Sequence, residues 1–197
     1  MATEGPFPKL VAFDLDYTLW DLWIDTHVDG PLHRNGETVN QVLDRNNQPI
    51  RFYRDVPDIL HTIRAWRIED REEGDNKVVI AACSRTSAPA LARQCLNLLL
   101  VPPPSHVSGE GVESKPVVAA KFFDEMEIYP GSKLTHFKKI HQRTGIPYEE
   151  MLFFDDERRN GEVEKLGVTF IHVPIGLNRK VFDDGVKHWR KKRSETA

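Results

Sequence analysis

A chain of 197 residues with 29% charged and 40% hydrophobic side chains can bury one sizeable core, and its formal net charge of −3 gives no overall attraction to nucleic acid or anionic membranes. No apolar run approaches membrane-spanning length, and Cys83 and Cys95 lie in apolar segments without a C-x-x-C pair, as reduced core residues of an intracellular protein would. We expect one domain over 1–197, monomeric and cytoplasmic with the nucleus as the alternative, and with neither nucleic acid nor membrane as partner.

Leu10-Val11-Ala12-Phe13 is short and continuously apolar, the pattern of a strand buried on both faces of a parallel sheet, and Asp14-Leu15-Asp16-Tyr17-Thr18 begins where it ends. Two carboxylates one residue apart at the end of a buried strand are costly to ionise together unless a cation or a reacting group shares their space. That cost points to chemistry. Residues 21–54 show no helical period, and Val39–Leu43 and Pro49–Tyr53 flank a polar tip at Asp44–Gln48, which predicts a hairpin flap inserted after the first strand. Within the flap, Asp25, His27 and His33 have a specificity role as the lesser reading beside simple solvation. Trp20 and Trp23 are divided between stacking on a substrate and packing under the flap.

Asp55 or a neighbour is expected to cap a helix with Pro57 in its first turn and Ile59, Leu60, Ile63 and Trp66 facing inward, before a charged linker at Glu69–Asn76. Lys77–Cys83 reads as a second buried strand ending at Ser84-Arg85-Thr86, with Ser87 the expected cap of a helix over Ala88–Leu99. The proline run at 102–104 and the glycines at 109 and 111 predict a flexible loop over 100–116, followed by a short helix at Val117–Phe123. Met126–Tyr129 is a third strand, and Ser132 caps a helix that stops at Gly145. Met151–Phe154 is a fourth apolar run, ending in Asp155-Asp156. Val168–Val173 is a fifth strand, and Asn178–Arg193 a final helix leading into a basic tail at 190–197. Strands alternating with helices predict an α/β, doubly wound parallel sheet.

Polar groups at four strand ends would then meet at one edge of that sheet, where open α/β folds bind ligands: Asp14 and Asp16, Ser84 and Arg85, Lys133, and Asp155 with Asp156. Carboxylates together with a phosphate are hard oxygen ligands of the kind Mg²⁺ prefers. Lys133, a cation in the first turn of a helix, opposes the macrodipole and is best rationalised as neutralising an anion.

These four elements resemble the four motifs of the haloacid dehalogenase (HAD) superfamily, with D-x-D-x-T at 14–18, the Ser84 strand end, Lys133 and the acidic pair 155–156. More closely, Phe13–Trp20, Ser84-Arg85-Thr86, Tyr129–Lys133 and Phe153–Asn160 are similar to the eukaryotic magnesium-dependent phosphatase family, in order over roughly 8–176. The resemblance implies a Rossmann-like, HAD-like sheet with a small flap and no large cap domain. It implies Asp14 as a nucleophile that becomes a phosphoaspartate and Asp16 as general acid, then base. Mg²⁺ would be held by the Asp14 carboxylate, the Asp16 main-chain carbonyl and Asp156. The Leu15 main chain, Ser84, Arg85 and Lys133 would hold phosphate or substrate, and Asp155 leans toward a structural role.

The expected activity is therefore a Mg²⁺-dependent phosphomonoesterase acting on a phosphorylated small molecule or phosphoprotein. The resemblance implies phosphotyrosine proteins or phosphorylated sugar adducts of the fructosamine-6-phosphate type. Cysteine-based phosphatase chemistry is excluded, because Pro89 and Val101 stand six residues beyond Cys83 and Cys95 where an arginine would be required. The alternative function is a non-catalytic phosphate- or protein-binding signalling module on the same fold.

Overall fold

The computed structural model describes residues 5–66, 77–104 and 115–196. Along the chain, β1 (Leu10–Phe13) is followed by the one-turn helix α1 (Ile24–His27), the hairpin strands β2 (Val42–Leu43) and β3 (Pro49–Ile50), and α2 (Val56–Ala65). Then come β4 (Val79–Ser84), α3 (Pro89–Leu98), a second small antiparallel pair, β5 (Leu100–Val101) and β6 (Val117–Val118), and β7 (Glu125–Ile128). Helix α4 (Lys133–Thr144), β8 (Met151–Asp155), β9 (Thr169–His172) and α5 (Arg179–Thr196) complete the order.

Five parallel strands pair in the order β7-β4-β1-β8-β9, so the most apolar strand, β1, lies at the centre with both edges bonded. Strand side chains alternate between faces. Val11, Phe13, Ile80, Ala82, Leu152 and Phe154 pack on one side with apolar residues of α2, α3, α5 and the flap. On the other side Leu10, Ala12, Ala81, Cys83, Met151 and Phe153 pack against Phe137 and Ile140 of α4. Helices on both faces make the sheet doubly wound. The chain travels outward from β1 through β4 to β7 and then returns to β8 beside β1, which puts the topological switch, and the crevice that goes with it, beyond the carboxyl ends of the central strands.

The flap hairpin has the expected form, with Val42 opposite Ile50 and Leu43 opposite Pro49. Asp44 closes its tip by accepting from the Asn46 and Gln48 amides at 2.8 Å each, and Asn47 takes the left-handed conformation such a turn needs. Ser132 caps α4 and Gly145, at φ 66°, ends it.

Four local expectations are corrected. The helix expected over 117–123 is β6 followed by a 3-10 turn at Ala119–Phe122, because the two valines pair with Leu100 and Val101. The loop expected over 100–116 accordingly opens on a strand, and its residues 105–114, like the linker at 69–76, lie outside the described residues. Ser87 does not cap α3; its amide and hydroxyl both donate to Asp25 Oδ2 instead, at 3.0 and 2.8 Å. Asp55 likewise caps no amide of α2 but accepts from the Arg179 amide at the start of α5 (2.9 Å). Helix α5 continues through the basic end to Thr196, with Arg193 paired to Glu150.

Candidate active site

Pairing between β1 and β8 continues one residue past β1, where the Asp14 amide donates to the Phe154 carbonyl at 2.9 Å. The chain then turns on the Leu15 carbonyl, which accepts from the amides of Thr18, Leu19 and Trp20, while Tyr17 is held at φ 52°, an uncommon conformation for a bulky residue. Inside this turn Thr18 is fully buried and its Oγ1 accepts from the Asp156 amide at 3.1 Å. One hydroxyl thus ties the first acidic strand end to the second.

Beneath them lies Lys133, 0% exposed in the first turn of α4. Its Nζ donates to Asp14 Oδ1 at 2.5 Å and to the Cys83 carbonyl, and lies 3.0 Å from Asp155 Oδ2. A cation at a helix N-terminus and out of water is doubly disfavoured, so these anions are what hold it there. Its ammonium is accordingly held above the usual lysine range by Asp14 and Asp155, against its burial.

The carboxylates outnumber it. Burial pushes Asp14 well above the usual aspartate range, and Asp155 and Asp16 add like-charge repulsion that Lys133 does not offset. Asp16 is raised to about 6, mainly by burial. Asp156 also reaches about 6 through burial and the neighbouring Asp155 and Glu157. Carboxylates this reluctant to ionise, with one buried ammonium beneath them, fit an additional cation. The acidic residues that line the cleft, Asp14, Asp16 and Asp156, offer oxygen donors. Among the described residues no three His, Cys, Asp or Glu side chains form a closed metal cage. A small hard cation that keeps water and takes one or two carboxylates matches that set better than zinc.

Asp14, Asp16, Ser84, Arg85 and Asp156 all line one cleft of about 260 Å³, joined by Trp23, Asp25 and Thr26 from the flap and by Arg159 and Asn160 beyond β8. Lys133 and Leu15, by contrast, are fully buried and do not form its wall. Of the flap residues singled out, Asp25 reaches the cleft. His27 and His33 do not: the His27 ring accepts from the Trp23 amide, and the His33 backbone pairs with Leu43.

Asn160 in the wall and His172 behind Asp156 carry no role in the sequence pattern alone. Asn160, 2% exposed, accepts from Arg85 Nη1 at 2.9 Å and donates to both oxygens of Asp155 at 2.9 Å, which aims the guanidinium and joins it to the Lys133 cluster. His172, at the end of β9, bonds the Asp156 carbonyl through Nε2 at 2.8 Å, so the Asp156 backbone is gripped on both sides. Asn160 could have been found from its place five residues after Asp155; nothing in the sequence marks His172. His136, one turn beyond Lys133, is fully buried with both ring nitrogens unpartnered, and burial and the nearby Lys133 hold it down at about 4, as a neutral ring.

The profile of the family described as Acid Phosphatase matches residues 6–192. A HAD-like hydrolase superfamily protein of Schizosaccharomyces pombe is 45% identical over 171 residues, covering 87% of this chain and 88% of its own length. Magnesium-dependent phosphatase 1 of Homo sapiens is 40% identical over 185 residues, covering 93% and 88%. Among solved structures, the N-terminal part of a Bacteroides fragilis protein, containing a phosphatase domain and complexed with Mg, superposes with a TM-score of 0.50 at 16% identity. That match covers 96% of this chain and 41% of the other, and shows a shared fold.

Proposed function

Since the chain belongs to the acid phosphatase family, and so to the HAD-type phosphatases, we propose that it hydrolyses phosphate monoesters with Mg²⁺ through an aspartyl-phosphate on Asp14. The observation that carries this reading is the contact of Asp14 Oδ1 with the buried Lys133 at the end of β1, with a second, protonatable carboxyl two residues on.

Asp14 and Asp156, with the Asp16 carbonyl, would hold the Mg²⁺, which supplies positive charge to the phosphoryl oxygens and to the Asp14 carboxylate. Lys133 orients Asp14 and keeps its negative charge tolerable next to an arriving phosphate. Ser84 and Arg85 bind the phosphate or the leaving group, and Asn160 fixes the direction of the guanidinium. In the first step an Asp14 carboxylate oxygen bonds to phosphorus, the ester P–O bond breaks, and Asp16 gives its proton to the departing oxygen. In the second, water attacks the phosphoaspartate, Asp16 takes the water proton, and inorganic phosphate leaves Asp14 free. A carboxyl raised to about 6 can serve in both directions near neutral pH.

The cleft of about 260 Å³ takes a phosphoryl group with part of its ester but not a protein body, so the rest of a large leaving group extends past Trp23 and Asp25 into solvent. This supports substrates whose phosphate projects from a bulky body, such as phosphotyrosine on a protein or a phosphorylated sugar on a protein amine. Two free buried thiols support an intracellular setting, which we propose is the cytoplasm. The test is hydrolysis of 4-nitrophenyl phosphate with Mg²⁺ and with EDTA, together with acid quenching to trap an acyl phosphate. Mg²⁺-dependent turnover and a trapped phosphoenzyme that Asp14→Asn abolishes are expected. Turnover indifferent to EDTA, or retained by Asp14→Asn, overturns the reading.

A further inference from the structure

Trp20, one residue before the flap, is fully buried, and its indole Nε1 donates to Asp16 Oδ1 at 2.7 Å. The Ile24 amide, at the start of α1, donates to the same oxygen at 3.3 Å. Both donors fall on Oδ1, and among the described residues Oδ2 receives none. A carboxyl oxygen that already accepts two N–H bonds is a poor place for a proton, so any proton Asp16 carries belongs on Oδ2.

The indole is itself well fixed. It stacks on Phe52 with centroids 6.1 Å apart and planes 10° apart, and its amide closes the turn on the Leu15 carbonyl. Phe52 lies near the far end of the flap and is clamped by Asn40, whose side chain both donates to its carbonyl (3.1 Å) and accepts from its amide (3.0 Å). The two ends of the flap therefore meet on the ring that holds Asp16. A core tryptophan needs a partner for its N–H when buried, but that need is met equally by a backbone carbonyl. Here it is met by a carboxyl that lines the cleft.

We propose that Trp20 is a positioning residue for proton transfer: the base of the flap holds Asp16 by Oδ1 and so presents Oδ2 to the leaving-group oxygen and, later, to water. The proposal rests on the reading of Asp16 as general acid and base. It gives the flap a second task besides shaping the cleft, because anything that separates Trp20 from Phe52 loosens the acid.

Trp20→Phe keeps an aromatic ring on Phe52 and removes the N–H. Holoenzyme is assayed with Mg²⁺ on two esters of similar shape, 4-nitrophenyl phosphate, whose leaving group departs with little help, and phenyl phosphate, whose leaving group needs a proton. A misplaced acid lowers kcat/KM for phenyl phosphate by about tenfold more than for 4-nitrophenyl phosphate, within the range a positioned acid supplies. The trapped phosphoenzyme level rises, since the second step needs Asp16 as base. A general loss of packing lowers both esters alike; equal losses, or none, overturn the proposal. Should Trp20→Phe fail to fold, Phe52→Leu leaves the indole and removes the ring beneath it, and the same comparison is made with a selectivity change of about threefold expected. An unaltered ester ratio there sinks the idea equally. Asp16→Asn serves as the separate control: if it discriminates between the esters no differently from wild type, the general-acid reading itself fails, whatever Trp20 does.

Discussion

The two acidic strand ends look alike in sequence, an apolar strand followed by two aspartates, but Asp14-Leu15-Asp16 and Asp155-Asp156 are put to different use. Alternate residues of an extended chain share a side and adjacent ones oppose. With one residue between them, Asp14 and Asp16 both reach the cleft. With none, Asp155 turns inward, 0% exposed, onto Lys133, Asn160 and the Glu157 amide, while Asp156 turns outward to the cleft. Spacing, more than residue type, therefore separates a pair that can share chemistry from a pair that divides into a strut and a ligand. Both pairs depend on the single ammonium of Lys133, which contacts one member of each.

The sharpest break of this comparison is at β1. Asp14→Asn removes the attacking oxygen and is expected to lower turnover by at least about 10⁴-fold, a scale set by removing other enzymes' nucleophiles. Asp16→Asn is expected to leave a slow first step, visible as phosphoenzyme that accumulates after acid quench while release of phosphate stalls. At β8 the same chemical change is expected to act in opposite ways at adjacent positions. Asp155→Asn leaves Lys133 with one anion in a dry site and costs about 3 kcal/mol in a denaturant titration. Asp156→Asn, which removes a carboxylate disfavoured by burial and by Asp155, leaves stability unchanged or raised but weakens Mg²⁺ binding in a calorimetric titration. Equal stability losses at the two positions would erase the distinction between strut and ligand.

Asp16 adds a dependence on pH. Its folded value of about 6 lies above the ordinary aspartate value, so the folded chain binds this proton more readily than the unfolded one. The charge is therefore a cost to stability above that pH, about 3 kcal/mol at neutrality, relieved progressively as the pH falls from about 6 toward 4. In EDTA, Asp16→Asn is expected to melt above wild type at pH 7.5, with the advantage gone by pH 4. A difference in melting temperature that does not change with pH would show that the carboxyl is not strained by burial.

Much of this was legible because each signal was local. Leu10–Phe13 and Met151–Phe154 announce buried strands by composition, and the acids after them mark where burial ends. Ser132 and Gly145 bracket α4 by capping chemistry alone, which is why Lys133 could be placed in its first turn. What escaped depended on distant partners. Ser87 has the composition of a helix cap, yet Asp25, 62 residues earlier, outbids its own helix for both donors. Val117 and Val118 read as the start of a helix until Leu100 and Val101 supply a strand to pair with. Trp20 reads equally as platform or core, and its bond to Asp16 follows from a turn on Leu15 that no periodicity records. His172 carries no motif at all and matters through the sheet order that sets β9 beside β8.

The smallest effect concerns the cation that both acid pairs share. His136 packs its ring edge-on against Tyr129, centroids 4.4 Å apart, with neither nitrogen bonded, and its low value near 4 comes from burial and then from Lys133. An unfolded histidine gains its proton near pH 6.5, so between about 6.5 and 4 the unfolded chain binds a proton that the folded chain refuses, and stability falls on acidification. His136→Phe keeps the aromatic edge on Tyr129 and removes the two unpartnered nitrogens, for an expected gain of about 1 kcal/mol at neutral pH. The gain is expected to widen as the pH falls through that window, opposite in sign to the trend for Asp16→Asn. Melting curves of the two variants against wild type from pH 7.5 to 4.5 separate the contributions, since one difference closes while the other opens. Parallel trends would mean that the carboxylates and the imidazole around Lys133 titrate as one group, and the division between the two strand ends would then have to be redrawn around the lysine.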